Sequence, residues 1–184
     1  MWRVLFAVVT MCLVSACSAT VPLPYSPENA YEMNGGAAVA NFDYQPPKPL
    51  PSNQIRNTAI GEIFLPVPVG THVANAVRKE FRYGGLSTKA DSRCSVSGVV
   101  FDFAFDDLGY SVDFISDIEY IVTDRKNDNQ VFRNRYLVKF RGPKGGPNTF
   151  ENINKMLSDN IAKLMDDPAF QKLFPDTCQR AASK

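Results

Sequence analysis

From Ser95 to Phe140 the chain alternates apolar and polar residues with a period of two, in three runs separated by short turn sequences. The first run puts Val99, Phe101, Phe103 and Phe105 on one face and Val100, Asp102, Ala104 and Asp106 on the other, and Asp107-Leu108-Gly109 turns it. The second sets Val112, Phe114, Ser116, Ile118, Tyr120 and Val122 against Asp113, Ile115, Asp117, Glu119 and Ile121. After Lys126-Asn127-Asp128-Asn129, the third sets Phe132, Tyr136, Val138 and Phe140 against Val131, Arg133, Arg135, Leu137 and Lys139. Successive side chains of a strand point to opposite faces, so this period predicts strands. Turns this short impose antiparallel neighbours, giving a three-strand meander with one apolar and one mixed face.

Elsewhere the period changes to that of a helix. Val69, Val73, Ala76, Val77 and Phe81 predict a helix over 69–83, closed by Gly84-Gly85. Phe150, Ile153, Leu157, Ile161 and Leu164 form a second stripe, behind a cap at Asn148 or Thr149. Asp167-Pro168 reads as a cap followed by proline at the first helical position, opening a short helix through Phe174 that Pro175 ends.

Ahead of the meander, Ala37–Tyr44 is a strand candidate, with Val39, Asn41 and Asp43 on one face and Ala38, Ala40, Phe42 and Tyr44 on the other. Pro46, Pro47, Pro49 and Pro51 forbid regular structure, and Ala59–Leu65 reads as a further strand stopped by Pro66 and Pro68. Residues 18–35 carry Pro22, Pro24 and Pro27 and lead into Asn34-Gly35-Gly36, the composition of an extended, flexible tether. The predicted fold class is α+β: an antiparallel sheet with a three-strand meander, two main helices packed on one face, and an extended segment in front. A single domain spans 37–178, with a C-terminal tail at 179–184.

The first residues change the picture. Arg3 precedes an apolar segment, Val4–Val9 and Met11–Val14, that ends in small residues, the pattern of a secretory signal peptide. It is too short for a permanent span, which needs about 20 residues. Ser15-Ala16-Cys17 resembles the lipobox of bacterial lipoproteins. That resemblance implies removal of residues 1–16 and a diacylglyceryl group with palmitate-type chains on Cys17, which heads the lipidated segment 17–36. Ser18 after it implies the outer membrane. Val14 and Ala16 also suit an ordinary cleavage site, which leaves Cys17 an unmodified cysteine. Two or more acyl chains, at ~0.8 kcal/mol per buried CH₂, anchor stably where one does not.

Loss of 16 residues from 184 leaves 168, and Arg3 is the only charge lost, so 20 Lys+Arg against 19 Asp+Glu becomes 19 against 19. No excess of either sign favours nucleic acid as a partner. Cys12 leaves with the signal, so Cys94 and Cys178 remain beside Cys17. In an oxidising compartment they are expected to pair, at ~4 to 5 kcal/mol in the chain-entropy account; the alternative is two separate thiols. No metal site is expected, because His72 is the only histidine and neither cysteine lies in a C-x-x-C pair.

His72, beside Thr71 at a helix start, is the candidate base, with its protonated form disfavoured by the helix dipole. A helix-start histidine facing solvent or packed on the sheet is the plainer reading. No G-x-S-x-G surrounds a serine, and Gly142–Pro147 lacks the G-x-x-x-x-G-K-[ST] arrangement. Asp102, Asp106, Asp107, Asp113, Asp117 and Glu119 suggest glycosidase chemistry or calcium, but a glycosidase needs carboxyls facing across a cleft. On adjacent strands, with Arg133, Arg135 and Lys139 alongside, cross-strand pairing accounts for them. No catalytic residue, cofactor or metal is expected.

The order of elements resembles the YajG-like family of bacterial lipoproteins. The lipobox, Ile60-Gly61-Glu62, the helix around Val73-Ala74-Asn75-Ala76-Val77, and Ser97-Gly98-Val99-Val100 carry the likeness over roughly residues 37–170. It implies a small periplasmic α+β domain and transfers no functional residue; Cys94 and Cys178 fall outside its pattern. The expected function is a non-enzymatic, lipid-anchored outer-membrane protein that serves as an interaction or assembly module for another envelope protein. The alternatives are a binding or carrier module for a lipid or glycan, and a hydrolase built on His72.

Overall fold

The computed structural model describes residues 18–58, 61–107, 109–143 and 148–178. Cys17, the signal segment, Ile60 and the tail 179–184 therefore lie outside the described residues. The elements are β1 (Ser18–Thr20), β2 (Ala37–Tyr44), β3 (Gln54–Asn57), β4 (Glu62–Phe64), α1 (Val69–Tyr83), β5 (Cys94–Asp107), β6 (Ser111–Asp124), β7 (Asn129–Pro143), α2 (Asn148–Met165) and α3 (Pro168–Asp176).

The fold is α+β, with the strands in the order β1-β4-β3-β5-β6-β7 and β2 also beside β5. The β5–β6–β7 meander is antiparallel, as its alternation predicts. The rest of the sheet is not. β2 lies parallel to residues 94–100 of β5, and β3 lies parallel to residues 104–105. β1 is parallel to β4. The sheet is thus mixed, because α1 carries the chain back between β2 and β5, and a crossover of that length permits parallel neighbours.

Two bulges overturn parts of the strict alternation. In β5 the register slips between Val100 and Asp102. Cys94, Val96 and Val100 point to the core before it, and Phe103 and Phe105 after it. An extra residue flips the parity of everything beyond. Val99 therefore does not share a face with Phe103, and Phe101 meets the guanidinium of Arg135 at 3.8 Å from its ring centroid. In β2 the slip falls between Val39 and Phe42, so these two residues are both buried instead of lying on opposite faces. The Phe42 ring then packs edge-on to Tyr120 at 5.7 Å. Glycine makes room for it: a Cβ on Gly98 would meet the Phe42 ring at 2.6 Å, and one on Gly70 would meet the Phe42 carbonyl at 1.8 Å.

The helices cover one face. α1 packs on β2 and β5, and α2 on β6 and β7. Ile153, Leu157, Ile161 and Leu164 of α2 are buried, but Phe150, in the first turn, is 47% exposed. α2 already includes Asn148 and Thr149. Asp167 caps α3 as expected, accepting from the N–H of Ala169 (2.7 Å) and Phe170 (3.4 Å). α3 runs past Pro175 to Asp176. A proline there costs only one late helical bond, and the N–H groups of Thr177 and Cys178 close on the Leu173 carbonyl. β3 is a strand that patterning does not announce, since only Ile55 of its four residues is buried.

Candidate functional site

Residues 21–36 are extended, as their prolines require, but they do not stand free of the body. They form a strap laid over α1 and α2, for a reason found in side chains far down the chain. Tyr25 is buried, and its hydroxyl donates to Glu80 of α1. Ser158 of α2 donates to the same Glu80 oxygen at 3.0 Å, and Asn29 donates to Ser158 Oγ at 2.9 Å. Lys79 Nζ donates to the Tyr25 carbonyl at 2.8 Å. Asn154 binds Ser26 reciprocally, accepting from its N–H at 2.9 Å and donating to its carbonyl at 3.0 Å. Burial, reinforced by the Glu80 hydrogen bond, raises the Tyr25 pKa, so the phenol keeps the proton it donates. The other Glu80 oxygen, Oε2, is buried with no hydrogen-bond partner among the described residues.

His72 lies beneath this strap, in a crevice of about 270 Å³ lined by Leu23, Tyr25, Phe150 and Glu151 among others. Its ring meets Phe103 edge-on at 6.1 Å. Burial, then the Lys79 charge, lowers its pKa to about 4. The sequence pointed to a helix dipole; the dominant cause is desolvation. Among the described residues no carboxylate or hydroxyl hydrogen-bonds the ring, so the structure brings no base–nucleophile pair together at His72.

Four carboxylates of the outer face pair with arginine, and Asp106 accepts from the Thr58 hydroxyl. Arg141 binds Asp113 (2.7 and 3.2 Å), Arg135 binds Asp117 (2.7 and 2.6 Å), Arg56 binds Asp102 (2.9 and 2.6 Å), and Arg133 meets Glu119 at 2.9 Å. The Arg141 guanidinium holds Asp113 below the usual carboxylate range. Among the described residues no three His, Cys, Asp or Glu side chains form a group that could hold a metal ion.

Cys94 and Cys178 form a disulfide, with Cα atoms 5.3 Å apart and both residues fully buried. It ties the first residue of β5 to the chain just beyond α3. A second buried polar cluster joins α2 to the meander. Tyr120 donates to Asn160 Oδ1 at 2.9 Å, and the Asn160 amide donates to Ser116 Oγ (3.1 Å) and the Tyr136 carbonyl (2.9 Å). The hydrophobic pattern alone does not name the Glu80 and Asn160 clusters, although it carries a signal for them. Glu80 follows Ala76 and Val77 at helical spacing, and Asn160 stands between Leu157 and Leu164 on the apolar stripe of α2. A polar residue inside such a stripe is buried and needs partners.

These features define a mixed-sheet α+β domain with an internally strapped N-terminal segment and a buried disulfide. No family model matches the chain, and no curated protein matches it. Solved structures share its fold. A protein of Xanthomonas campestris from family DUF330 aligns with a TM-score of 0.62 at 12% identity, over 85% of this chain and 96% of that one. An uncharacterized protein aligns with a TM-score of 0.51 at 11% identity, over 79% and 96%. Lipoprotein GNA1162 of Neisseria meningitidis is more remote, with a TM-score of 0.33 at 10% identity, over 70% and 99%. At such identities the first two alignments establish the fold and nothing finer. Among the described residues no helix is long and apolar enough to cross a membrane.

Proposed function

We propose that the protein is an outer-membrane lipoprotein, anchored by acyl chains on Cys17, whose body is a non-catalytic interaction or assembly module of the cell envelope. Kinship with the YajG-like lipoproteins belongs to the same reading. The observation that carries it is Ser15-Ala16-Cys17 directly behind the apolar segment 4–14. The buried Cys94–Cys178 disulfide supports it, since such bonds persist in oxidising compartments. The isolation of His72 and the arginine pairing of Asp102, Asp113, Asp117 and Glu119 support a body without a reacting centre. β7, fifteen residues long at one end of the strand order, offers an edge on which a second envelope protein can dock. A lipid or glycan carrier needs a cavity between helices and sheet, and Phe81, Phe103, Phe114, Leu157, Ile161 and Phe170 fill that layer.

Cys17→Ser tests the anchor. The variant is expected to lack an acyl adduct by intact mass, and to stay at the inner membrane or be released soluble. Unchanged outer-membrane fractionation of Cys17→Ser overturns the reading.

A further inference from the structure

Strand direction fixes which end of the body lies next to Cys17. β1 runs with β4, β4 runs against β3, and β3 runs with β5. Ser18 at the start of β1, Asn57 at the end of β3, the β5–β6 turn, and Pro143 at the end of β7 therefore share one end of the sheet. The disulfide and the last turn of α1 belong to the opposite end, where Ala37 pairs with Cys94 and Gly36 bridges to Ser87.

Register gives the relative depth. Ser18 pairs with Glu62. The β3–β4 pairing, continued one residue from Ile55–Ile63, sets Glu62 opposite Arg56, which pairs with Ala104. Ser18 is thus level with Ala104, while β5 continues to Asp107 before it turns. At about 3.3 Å per residue those three residues carry the turn roughly 10 Å beyond Ser18. Cys17 directly precedes Ser18, the first residue of β1. The polar layer on each side of a bilayer is only about 5–7 Å thick. With the strands along the bilayer normal and an acylated Cys17 at the water side of that layer, the projecting turn enters it.

The turn is furnished for such a place. Tyr110 is fully exposed, more so than Tyr83, Leu137 or Phe150. The Gly109 N–H donates to Asp107 Oδ1 at 2.9 Å, and a Cβ on Gly109 would meet nothing within 4 Å. Tyrosine, with an apolar ring and a polar tip, favours the bilayer–water boundary. Resting on the proposed Cys17 anchor, we infer that the β5–β6 turn is a second membrane contact. Tyr110 sits in the headgroup layer and the sheet stands on end against the bilayer.

Tyrosine-to-tryptophan replacement reads this out, because Trp2 is the only tryptophan of the chain and leaves with residues 1–16. Processed Tyr110→Trp protein, purified from cells and checked for its acyl adduct by intact mass, is placed in phosphatidylcholine vesicles with and without brominated lipid. Tyr83→Trp, at the opposite end, is the control. The expected result is blue-shifted emission quenched by brominated lipid for Tyr110→Trp, and water-like, unquenched emission for Tyr83→Trp. Acylated Tyr110→Trp with water-like emission overturns the second contact and leaves the anchor standing. Equal quenching at both positions overturns the upright orientation. Absence of the adduct overturns the anchor and this inference together.

Discussion

The meander and the N-terminal segment are held by contacts of opposite kinds. In the meander, strands adjacent in sequence lie side by side, and the ion pairs between β6 and β7 join residues 14 to 28 positions apart, as in Glu119–Arg133 and Asp113–Arg141. The strap depends on distant partners: Tyr25 on Glu80, 55 residues away, and Asn29 on Ser158, 129 away. The disulfide closes a separation of 84. Local contacts cost little chain entropy to close, and distant ones cost more and form later. The sheet's centre thus specifies itself, whereas the first residues after Cys17 are positioned by groups laid down much later in the chain.

The strongest way to break that contrast is to remove the covalent closure. Replacing both Cys94 and Cys178 with alanine is expected to lower unfolding free energy by ~4 to 5 kcal/mol in the chain-entropy account. The measurement is a urea midpoint compared with that of the oxidised wild type. A loss below about 1 kcal/mol would show that this end of the body holds without its bond.

Next comes the strap itself. Glu80→Ala leaves the Tyr25 and Ser158 hydroxyls buried without their acceptor. Two such groups at about 1–3 kcal/mol each predict a loss of about 3 kcal/mol. Limited proteolysis should then cut within residues 21–30 while the meander stays intact. Tyr25→Phe keeps the ring and removes one donor, for about 1 kcal/mol. If Glu80→Ala leaves the strap protected, the hydrogen bonds are not what holds it.

The same contrast decides what could be read in advance. The meander, both main helices and the Asp167 cap follow from period and spacing, because each is specified by residues near one another. The bulges at Val100–Asp102 and Val39–Phe42 were hidden, since a period-two pattern says nothing about an inserted residue when Val99 and Val100 are both apolar. β3 was hidden because a four-residue strand with one apolar side chain has no period. The strap differs from a free tether for a physical reason: Pro22, Pro24 and Pro27 specify extended backbone but not what it lies against. Its partners, Glu80, Asn154 and Ser158, stand on two helices that only the folded chain brings together.

His72 sharpens the contrast by pH, since it lies under the strap. Its folded pKa of about 4 is below the ordinary 6.5, so the unfolded chain binds the proton more tightly and stability falls as pH drops. The contribution is complete above about pH 6.5 and is lost progressively toward pH 4. Between pH 7 and pH 5 the loss is about 2 kcal/mol. Asp113 and Asp124 are held below 3.8, so their titration falls in more acidic solution. His72→Gln should flatten the fall between pH 7 and 5, as read by urea unfolding at each pH. A slope unchanged in His72→Gln would assign it to other groups.

The smallest effect belongs to the outer face. Arg135 binds Asp117 in two hydrogen bonds and stacks on Phe101, the residue that the β5 bulge turns outward. Its side chain is 48% exposed, so water and salt screen the pair. Arg135→Ala is expected to cost roughly 0.2–1 kcal/mol for the exposed pair, with a similar amount for the cation–π contact. Arg135→Lys keeps the charge but cannot reproduce the fork, and should recover only part of the loss. Raising salt to 1 M should shrink the Arg135→Ala effect by weakening the ion pair while leaving the ring contact. An Arg135→Ala loss as large as that of Glu80→Ala would erase the distinction between paired charges in water and polar groups buried beneath the strap.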